Sequence, residues 1–199
     1  MNAMDEGSGN GARWDRKYAE GLPSLTRPDP FFLSAYERFV FPRFPRAGTG
    51  LDVAGGLGRH ALWLAARNWK MSLLDVSEVA IGQLRDEAQR LDLGLDLSVA
   101  DAAAYDFRRA RYDLIVLFYH FDRSLFPKIV SALNPGGLFI CKMAMRWPTD
   151  VVSSNGAGNV LSSNEIGSLV PSLNVLDHRE RPVRDRGVVE FVGSKPEAL

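Results

Sequence analysis

Residues 51–61 of the chain read LDVAGGLGRHA, and this segment decides the fold. Apolar residues lead to Asp52, a glycine-dense turn follows, and the residues after it have the pattern of a helix. A turn with few Cβ atoms between a strand and a helix lets backbone N–H groups approach a ligand closely. Asp75 ends the next apolar run about 20 residues later, a spacing typical of a carboxylate that binds a ribose. The segment therefore predicts a site for a cofactor that contains adenosine.

Apolar runs and helical patterns alternate along the chain on both sides of this turn. They predict strands at residues 51–54, 71–74, 95–100, 112–119 and 138–143, and helices at 31–41, 59–67, 78–91 and 125–133. The segment 134–137, NPGG, is expected to end the last of these helices. A short helix near 165–170 precedes two late strands, 173–177 and 188–192, which flank a charged turn at 179–186. The pattern predicts a single-domain α/β fold: a doubly wound, Rossmann-like sheet of seven strands, mostly parallel, with a C-terminal antiparallel hairpin.

The composition is that of a soluble globular domain and disfavours several classes of function. Lys and Arg number 24, as do Asp and Glu, so the formal net charge is zero, which argues against a broad surface for nucleic acid or membrane. A single cysteine, Cys141, allows no intrachain disulfide, so we expect a cytoplasmic location; we also expect no bound metal. We expect residues 1–12 to be a disordered tail and residues 13–199 to form the domain, with 13–46 as an N-terminal lid or helical segment.

Five segments together resemble the class I S-adenosylmethionine-dependent methyltransferases. They are LDVAGGLGRHA, LLDVS at the end of the second strand, VADAAAYDF after the third, YDLIVLFYHF as the fourth and LNPGGLFI before the fifth. The chain also resembles the small bacterial members related to the tellurite-resistance and thiopurine enzymes. Ala54 stands where the family has a glycine and needs either a negative φ or a small strain; we expect Gly55 beside it to supply the freedom of the turn.

The resemblance implies a set of residues around S-adenosylmethionine. Asp52 would face the ammonium of the methionine moiety, Asp75 would accept both ribose hydroxyls, and Asp101 would accept from the adenine amino group. Asp101 could instead only cap a helix that begins with residues 102–104, AAA. Carboxylates and aromatic faces suit a ligand with an ammonium and a sulfonium. The other implied cofactor contacts are Trp14, Ala54, Gly55, Gly56, Leu57, Gly58, Val76, Ala102, Leu117 and Phe118.

Two further features keep alternatives open. Trp14 and Tyr18 could cover the cofactor from an N-terminal lid, or they could pack the N-terminal segment onto the sheet. His120 and Tyr119 follow the fourth strand, where a methyl acceptor would lie, and His120 could take a proton from the acceptor. The other interpretation of His120 is a hydrogen-bonded histidine at the rim of the site.

The predicted function is transfer of a methyl group from S-adenosylmethionine to a small-molecule acceptor by in-line displacement. A nucleic-acid acceptor is disfavoured, because residues 118–121, FYHF, stand where amino-directed nucleic-acid methyltransferases carry an Asn-Pro-Pro-Tyr type segment. Two alternatives remain: a catalytically silent module that binds S-adenosylmethionine, and an NAD(P)-binding oxidoreductase, since Gly56, Gly58 and Ala61 also fit the nicotinamide fingerprint. The identity of the acceptor and the oligomeric state are left open by the sequence.

Overall fold

The computed structural model describes residues 10–21, 27–108, 111–146, 160–183 and 186–198. Its strands are β1 (Thr49–Val53), β2 (Lys70–Asp75), β3 (Leu95–Val99), β4 (Tyr112–Phe118), β5 (Leu133–Met145), β6 (Asn174–Val183) and β7 (Arg186–Ser194). Its α-helices are α1 (Asn10–Ala19), α2 (Pro30–Ala35), α3 (Phe41–Arg43), α4 (Arg59–Ala65), α5 (Glu78–Arg90), α6 (Leu125–Ala132) and α7 (Glu165–Leu169). A π-helical segment, Tyr36–Val40, joins α2 to α3.

The seven strands form one sheet in the order β3-β2-β1-β4-β5-β7-β6. Strands β3, β2, β1, β4 and β5 pair in parallel, whereas β7 pairs antiparallel with both β5 and β6. This confirms the predicted doubly wound sheet with an antiparallel C-terminal hairpin. After β1, strands β2 and β3 extend the sheet on one side of β1, and β4 and β5 then extend it on the other side. The strand order therefore reverses between β1 and β4. Ligands bind at such a point, beyond the carboxyl ends of the strands.

The central strands are apolar on both sides because helices cover both faces of the sheet. In β4, residues from Leu114 to Leu117 are completely buried, as expected for an inner parallel strand. Helices α6 and α7 contribute to the core on one face. Helices α2, α4 and α5 do so on the other face. Within the described ranges, no helix has the length and apolar character that crossing a bilayer requires.

The N-terminal region differs from its prediction at both ends. Residues 10–12 belong to α1 and are not part of a disordered tail, while residues 1–9 of the predicted tail lie outside the described residues. The helix predicted for 31–41 starts at Pro30, whose preceding Asp29 caps it, and continues as α3 to Arg43. Pro42 is compatible with this continuation, because it occupies the first turn of α3, where a missing N–H costs little.

Two corrections concern the C-terminal half. Segment 134–137, which was expected to end α6, lies within β5, because this strand begins at Leu133. Helix α6 ends before the segment, at Ala132. The charged residues expected in a turn at 179–186 lie mostly on β6, which runs to Val183 because its side chains pair with β7 and with each other. Residues 150–164 are rich in Ser, Asn and Gly, which predicts a loop, and residues 150–159 of this segment lie outside the described residues.

Candidate functional site

The turn between β1 and α4 has an unusual backbone. Ala54, Gly56 and Gly58 have positive φ angles of 52°, 55° and 70°. The left-handed conformation therefore falls on Ala54 itself, and the expectation that Gly55 would supply this freedom is wrong. Only glycine adopts such angles without a steric penalty. The turn thus carries backbone strain at the point where it faces the carboxyl ends of the strands.

Gly55 is required for a different reason, which is the lack of space around it. A Cβ atom on Gly55 would lie 2.5 Å from Leu73 Cδ1 and 2.8 Å from the carboxyl carbon of Asp52. The backbone of the turn therefore lies directly on β2 and on Asp52. This close approach brings the turn and the two strand ends into one compact structure.

Asp75, the last residue of β2, is bound to this turn through its carboxylate. Its Oδ2 accepts a hydrogen bond from the backbone N–H of Gly56 at 2.8 Å, and its Oδ1 accepts one from the N–H of Ser77 at 3.0 Å. Each carboxylate oxygen can accept a second hydrogen bond. Asp75 is therefore fixed in position while it keeps capacity to accept from a ligand.

Asp52, on β1, is buried and incompletely hydrogen-bonded. Its side chain is 1% exposed, and its Oδ2 has no hydrogen-bond partner among the residues that the structure describes. Burial raises the pKa of this carboxyl from 3.8 to about 7, although the Ala61 N–H and the Arg59 charge act in the opposite direction. An unpartnered buried carboxylate oxygen is unfavourable unless a ligand donates to it. Asp52 therefore offers a site for a cationic or hydrogen-bond-donating group.

A cavity of about 450 Å³ opens at the carboxyl ends of the strands, beside this turn. Every residue that the sequence predicted to bind the cofactor or to act in catalysis lines it, except Leu117. Leu117 is completely buried in the core that includes α6, because alternate side chains of a strand point to opposite faces. The residues that line the cavity thus include Phe118, as predicted for a cofactor contact, but not Leu117.

Asp101 and His120 are two of the residues that line the cavity. Asp101 Oδ1 accepts from the N–H of Ala103 at 2.9 Å, so it caps a turn and lines the cavity at the same time. The two interpretations of Asp101 are therefore compatible. His60, in the first turn of α4, is buried and also lines the cavity; burial lowers its pKa to about 3, which keeps the imidazole neutral.

Helix α1 contributes residues to the lining of this cavity. Trp14 and Tyr18 both line it, with ring centroids 5.9 Å apart, and the Tyr18 hydroxyl lies against Gly56. Burial, with a contribution from Asp75, raises the pKa of Tyr18 to about 12. Asp15 attaches the helix to α5, because its Oδ1 accepts from the Ser77 hydroxyl at 2.5 Å and from the Val79 N–H at 3.1 Å. Both aromatic residues thus lie where the lid hypothesis expects them.

The sequence analysis missed a group of buried charges beside the cavity. Lys142 on β5 lies 3.0 Å from Asp29 and 3.0 Å from Glu190, and all three are almost fully buried. The hydroxyl of Tyr119 donates to Asp29 Oδ2 at 3.3 Å, and the Asp29 N–H donates to His60 Nε2 at 3.3 Å. One signal was available: Lys142 interrupts the apolar run LFICKMAM, and a lysine inside a buried strand needs a partner.

The described part of the chain contains no group of three or more metal-ligating side chains. The arrangement at the site is instead one of carboxylates, aromatic faces and exposed backbone at a glycine turn. Three carboxylates lie at the carboxyl ends of neighbouring strands. Asp52 is the last but one residue of β1, Asp75 is the last residue of β2, and Asp101 follows the end of β3 by two residues. Such a cavity suits a nucleoside that carries a positive charge.

Comparison with known proteins agrees with this geometry. Residues 51–137 match the model of the methyltransferase domain family. No curated protein matches the chain. The N-methyltransferase NodS from Bradyrhizobium japonicum, solved with S-adenosyl-L-homocysteine, has 18% sequence identity and a TM-score of 0.69, with 94% of this chain and 98% of that chain covered.

Two other solved structures share the fold. TehB from Haemophilus influenzae has 17% identity and a TM-score of 0.72, with 91% of this chain and 66% of that chain covered. The 1,6-didemethyltoxoflavin-N1-methyltransferase from Burkholderia thailandensis, solved with 1,6-didemethyltoxoflavin and S-adenosylhomocysteine, has 15% identity and a TM-score of 0.70, with 94% and 87% covered. At these identities the likeness shows the fold alone.

Proposed function

We propose that the chain, whose residues 51–137 match the methyltransferase domain model, is a class I S-adenosylmethionine-dependent methyltransferase that methylates a small-molecule acceptor by in-line displacement. The observation that carries the proposal is Asp52 Oδ2, a buried acceptor without a partner among the described residues, in a cavity that Asp75 also lines. A ligand with an ammonium group and a ribose complements both carboxylates. The fold by itself would not establish an activity.

The residues present fit the cofactor of the family. We propose that Asp52 binds its ammonium group, that Asp75 accepts from its ribose hydroxyls, and that Val76, Asp101 and Ala102 contact its adenine. All five residues line the cavity. When bound, S-adenosylmethionine supplies a methyl group on a positively charged sulfur. The aromatic ring of Phe118, which also lines the cavity, offers a face that attracts a cation.

The chain's own contribution to the reaction is mainly positioning. Trp14 and Tyr18 of helix α1 line the cavity, and we propose that they limit the access of water to the reacting groups. Holding two reactants in line at about 3 Å can supply roughly 7–11 kcal/mol of the acceleration. Tyr119 and His120, directly after β4, are proposed to contact the acceptor and to take its proton where it has one.

Several features support a small acceptor. The cavity of about 450 Å³ has to hold cofactor and acceptor together. The formal net charge of the chain is zero, which does not favour a polyanionic acceptor. The Burkholderia thailandensis enzyme of the same fold was solved with a small acceptor, 1,6-didemethyltoxoflavin. The single, buried Cys141 fits the cytoplasmic location expected from the sequence.

The test is methyl transfer from radiolabelled S-adenosylmethionine to a panel of small amines, phenols, thiols and oxyanions. We expect transfer to at least one class, and a lower kcat for His120→Ala with acceptors that carry a proton, because His120 is proposed to contact the acceptor beside Tyr119. The control is His178→Ala, which changes a histidine on β6, away from the cavity. Cofactor binding with no transfer to any class would contradict the proposal and favour the silent binding module.

A further inference from the structure

A row of charged residues crosses the sheet at the end of an otherwise apolar face. Lys142 of β5 lies between Phe118 of β4 and Glu190 of β7 in the strand register. The preceding row on the same face, two residues earlier on β4 and β5, consists of Val116, Ile140 and Val192. The change from apolar to charged side chains thus occurs where the strands reach the cavity. Lys142 is 7% exposed and Glu190 is 3% exposed.

These charges balance one another. The Lys142 ammonium donates to Asp29 Oδ1 at 3.0 Å and to Asp29 Oδ2 at 3.1 Å, and it lies 3.0 Å from Glu190 Oε1. Arg181 of β6 lies 2.7 Å from the same Glu190 oxygen. Two cations thus face two carboxylates. Because a buried ion pair often stabilises a fold no better than apolar residues of similar volume, stability alone does not explain this cluster.

Tyr119 connects the cluster to the cavity. Its hydroxyl donates to Asp29 Oδ2 at 3.3 Å, while its ring is half exposed and lines the cavity. Its backbone N–H donates to the carbonyl of Lys142 at 2.8 Å, and its φ is 60°. A tyrosine in the left-handed region is strained, and such strain is concentrated at functional sites. The strained backbone brings the hydroxyl to Asp29.

The direction of this hydrogen bond limits what Tyr119 can do. A phenolic hydroxyl has one hydrogen to donate, and here Asp29 accepts it. Toward a ligand in the cavity the oxygen can therefore only accept. A ligand atom that bears a hydrogen is favoured at this position over an anion, which would need a donor.

We propose that Tyr119 and Asp29 form a proton path for the methyl acceptor, with Lys142 as the positioning residue that holds Asp29. The inference rests on the proposed function and specifies its acceptor: an amine or hydroxyl whose nucleophilic atom carries a proton. As the N–H or O–H bond of the acceptor breaks, its electron pair forms the bond to the transferred methyl group. The proton passes to Tyr119 Oη, whose own proton passes to Asp29 Oδ2. Asp29 then returns a proton to water before the next turnover.

The charged groups around Tyr119 keep its hydroxyl protonated before the reaction. Burial raises the pKa of Tyr119, and Asp29 raises it further, while Lys142 and Arg59 lower it. Arg59 of α4 lies 5.9 Å from the ring centroid. The remaining groups are Glu190 and Arg181, which pair with each other behind Lys142, and the neutral His60; His120 lines the same cavity.

The test is a spectroscopic pH titration of Tyr119 in the protein without ligands, with Tyr119→Phe used to assign the tyrosinate absorbance. Asp29→Asn removes the neighbouring negative charge, so we expect the pKa of Tyr119 to fall by roughly one unit. Asn is also a good helix cap, so α2 keeps its first turn. Lys142→Met removes the positive charge and is expected to raise the pKa by a similar amount.

Lys142→Arg is the rescue variant and Glu190→Gln the matched control. Arginine keeps the positive charge beside Asp29, so the titration of Tyr119 is expected to stay near that of the wild type; Glu190→Gln changes a carboxylate that faces Lys142 and not Tyr119. If Lys142→Met fails to fold, the pKa of Tyr119 in Asp29→Asn, compared with its pKa in Glu190→Gln, still tests the proposed path. An unchanged pKa in Asp29→Asn, or the same shift in both variants, would overturn the proposed path.

The second measurement separates this inference from the proposed function. We expect Tyr119→Phe and Asp29→Asn to bind S-adenosylhomocysteine like the wild type, but to methylate amines and hydroxyls roughly 10²-fold or more slowly. The rate of methyl transfer is expected to fall in Lys142→Met and to recover in Lys142→Arg, which keeps a positive charge beside Asp29. Equal rates for wild type and Tyr119→Phe would overturn the path while leaving the methyltransferase intact.

Discussion

Asp52 and Asp75 lie at the ends of adjacent strands, yet their carboxylates are in different states. Both oxygens of Asp75 accept backbone N–H groups. Asp52 Oδ2 accepts none from the described residues, and burial raises the pKa of Asp52 to about 7. The carboxylate of Asp75 is therefore part of the hydrogen-bonded turn, whereas the carboxylate of Asp52 depends on a ligand for its stabilisation.

The first prediction concerns Asp52→Asn and the pH dependence of stability. In the unfolded chain this carboxyl ionises near pH 3.8, but in the folded protein it keeps its proton up to about pH 7. Between these values the folded state binds the extra proton, so the free energy of unfolding of the wild type falls as pH rises. We expect a contribution of at most about 1.4 kcal/mol per pH unit, absent in Asp52→Asn.

Urea unfolding from pH 4 to pH 8 measures this difference. Asp86→Asn is the matched control, because Asp86 is exposed on α5 and distant from the cavity. The stability of Asp52→Asn relative to the wild type is expected to increase up to about pH 7 and to level off above it. A difference that stays constant over this range would show that Asp52 ionises normally in the folded protein.

The second prediction concerns the strain at Ala54. A left-handed conformation costs a non-glycine residue about 1–2 kcal/mol, and the greater freedom of glycine in the unfolded chain offsets roughly 0.5–1 kcal/mol of that. With a φ of 52°, Ala54→Gly is therefore expected to raise the free energy of unfolding by roughly 0.5 kcal/mol or more. Ala47, with a φ of 59°, lies outside the cavity and provides Ala47→Gly as the parallel case. A loss of stability in Ala54→Gly would refute the strained geometry.

At the scale of elements, α1 depends on the rest of the protein for its position. The helix has ten residues, from Asn10 to Ala19, and none of these described residues is fully buried. Helices this short are marginal in water without tertiary contacts. Its hydrogen bonds from Asp15 to the start of α5 supply one such contact. Helix α1 and the Asp75 end of β2 are therefore linked through hydrogen bonds of Ser77.

The third prediction tests this link with Asp15→Ala. Loss of both hydrogen bonds is expected to let α1 leave the cavity, so S-adenosylhomocysteine should bind several-fold, up to about tenfold, more weakly. The global free energy of unfolding should change little, because the core lies elsewhere. Calorimetry gives the affinity, and hydrogen exchange of the α1 amides reports the opening.

Glu20→Ala is the matched control for Asp15→Ala. It removes an acidic side chain of the same region that is exposed and lies just after α1. Unchanged affinity and unchanged exchange in Asp15→Ala would mean that α1 is held by other contacts, such as that of Tyr18 with Gly56.

At the scale of the whole molecule, the sequence predicts the sheet because its central strands must be apolar on both faces. A continuous apolar run such as residues 112–118, which a helical pattern separates from the next apolar run, predicts an inner strand of a parallel sheet. The position of the site follows from the same logic, since the carboxyl ends of parallel strands meet at one edge. Asp52, Asp75 and Asp101 could therefore be brought together from their places in the sequence.

The features that the sequence did not predict depend on contacts between distant parts of the chain. The pair of Asp29 and Lys142 spans 113 residues, and Asp29 alone reads only as a helix cap before Pro30. The extension of α1 to Asn10 depends on α5. The conformation of Ala54 depends on how β2 and Asp52 confine Gly55. Local patterns contain no information about such long-range partners.

The central claim is that the carboxylates at the strand ends bind S-adenosylmethionine, and calorimetry with S-adenosylhomocysteine tests it most directly. The wild type and Asp86→Asn are expected to bind it, and NADH should give no heat. Asp75→Asn should bind roughly 10- to 100-fold more weakly, as expected for the loss of hydrogen bonds to a charged group. The absence of heat from the folded wild type, or equal affinity in Asp75→Asn, would contradict the account.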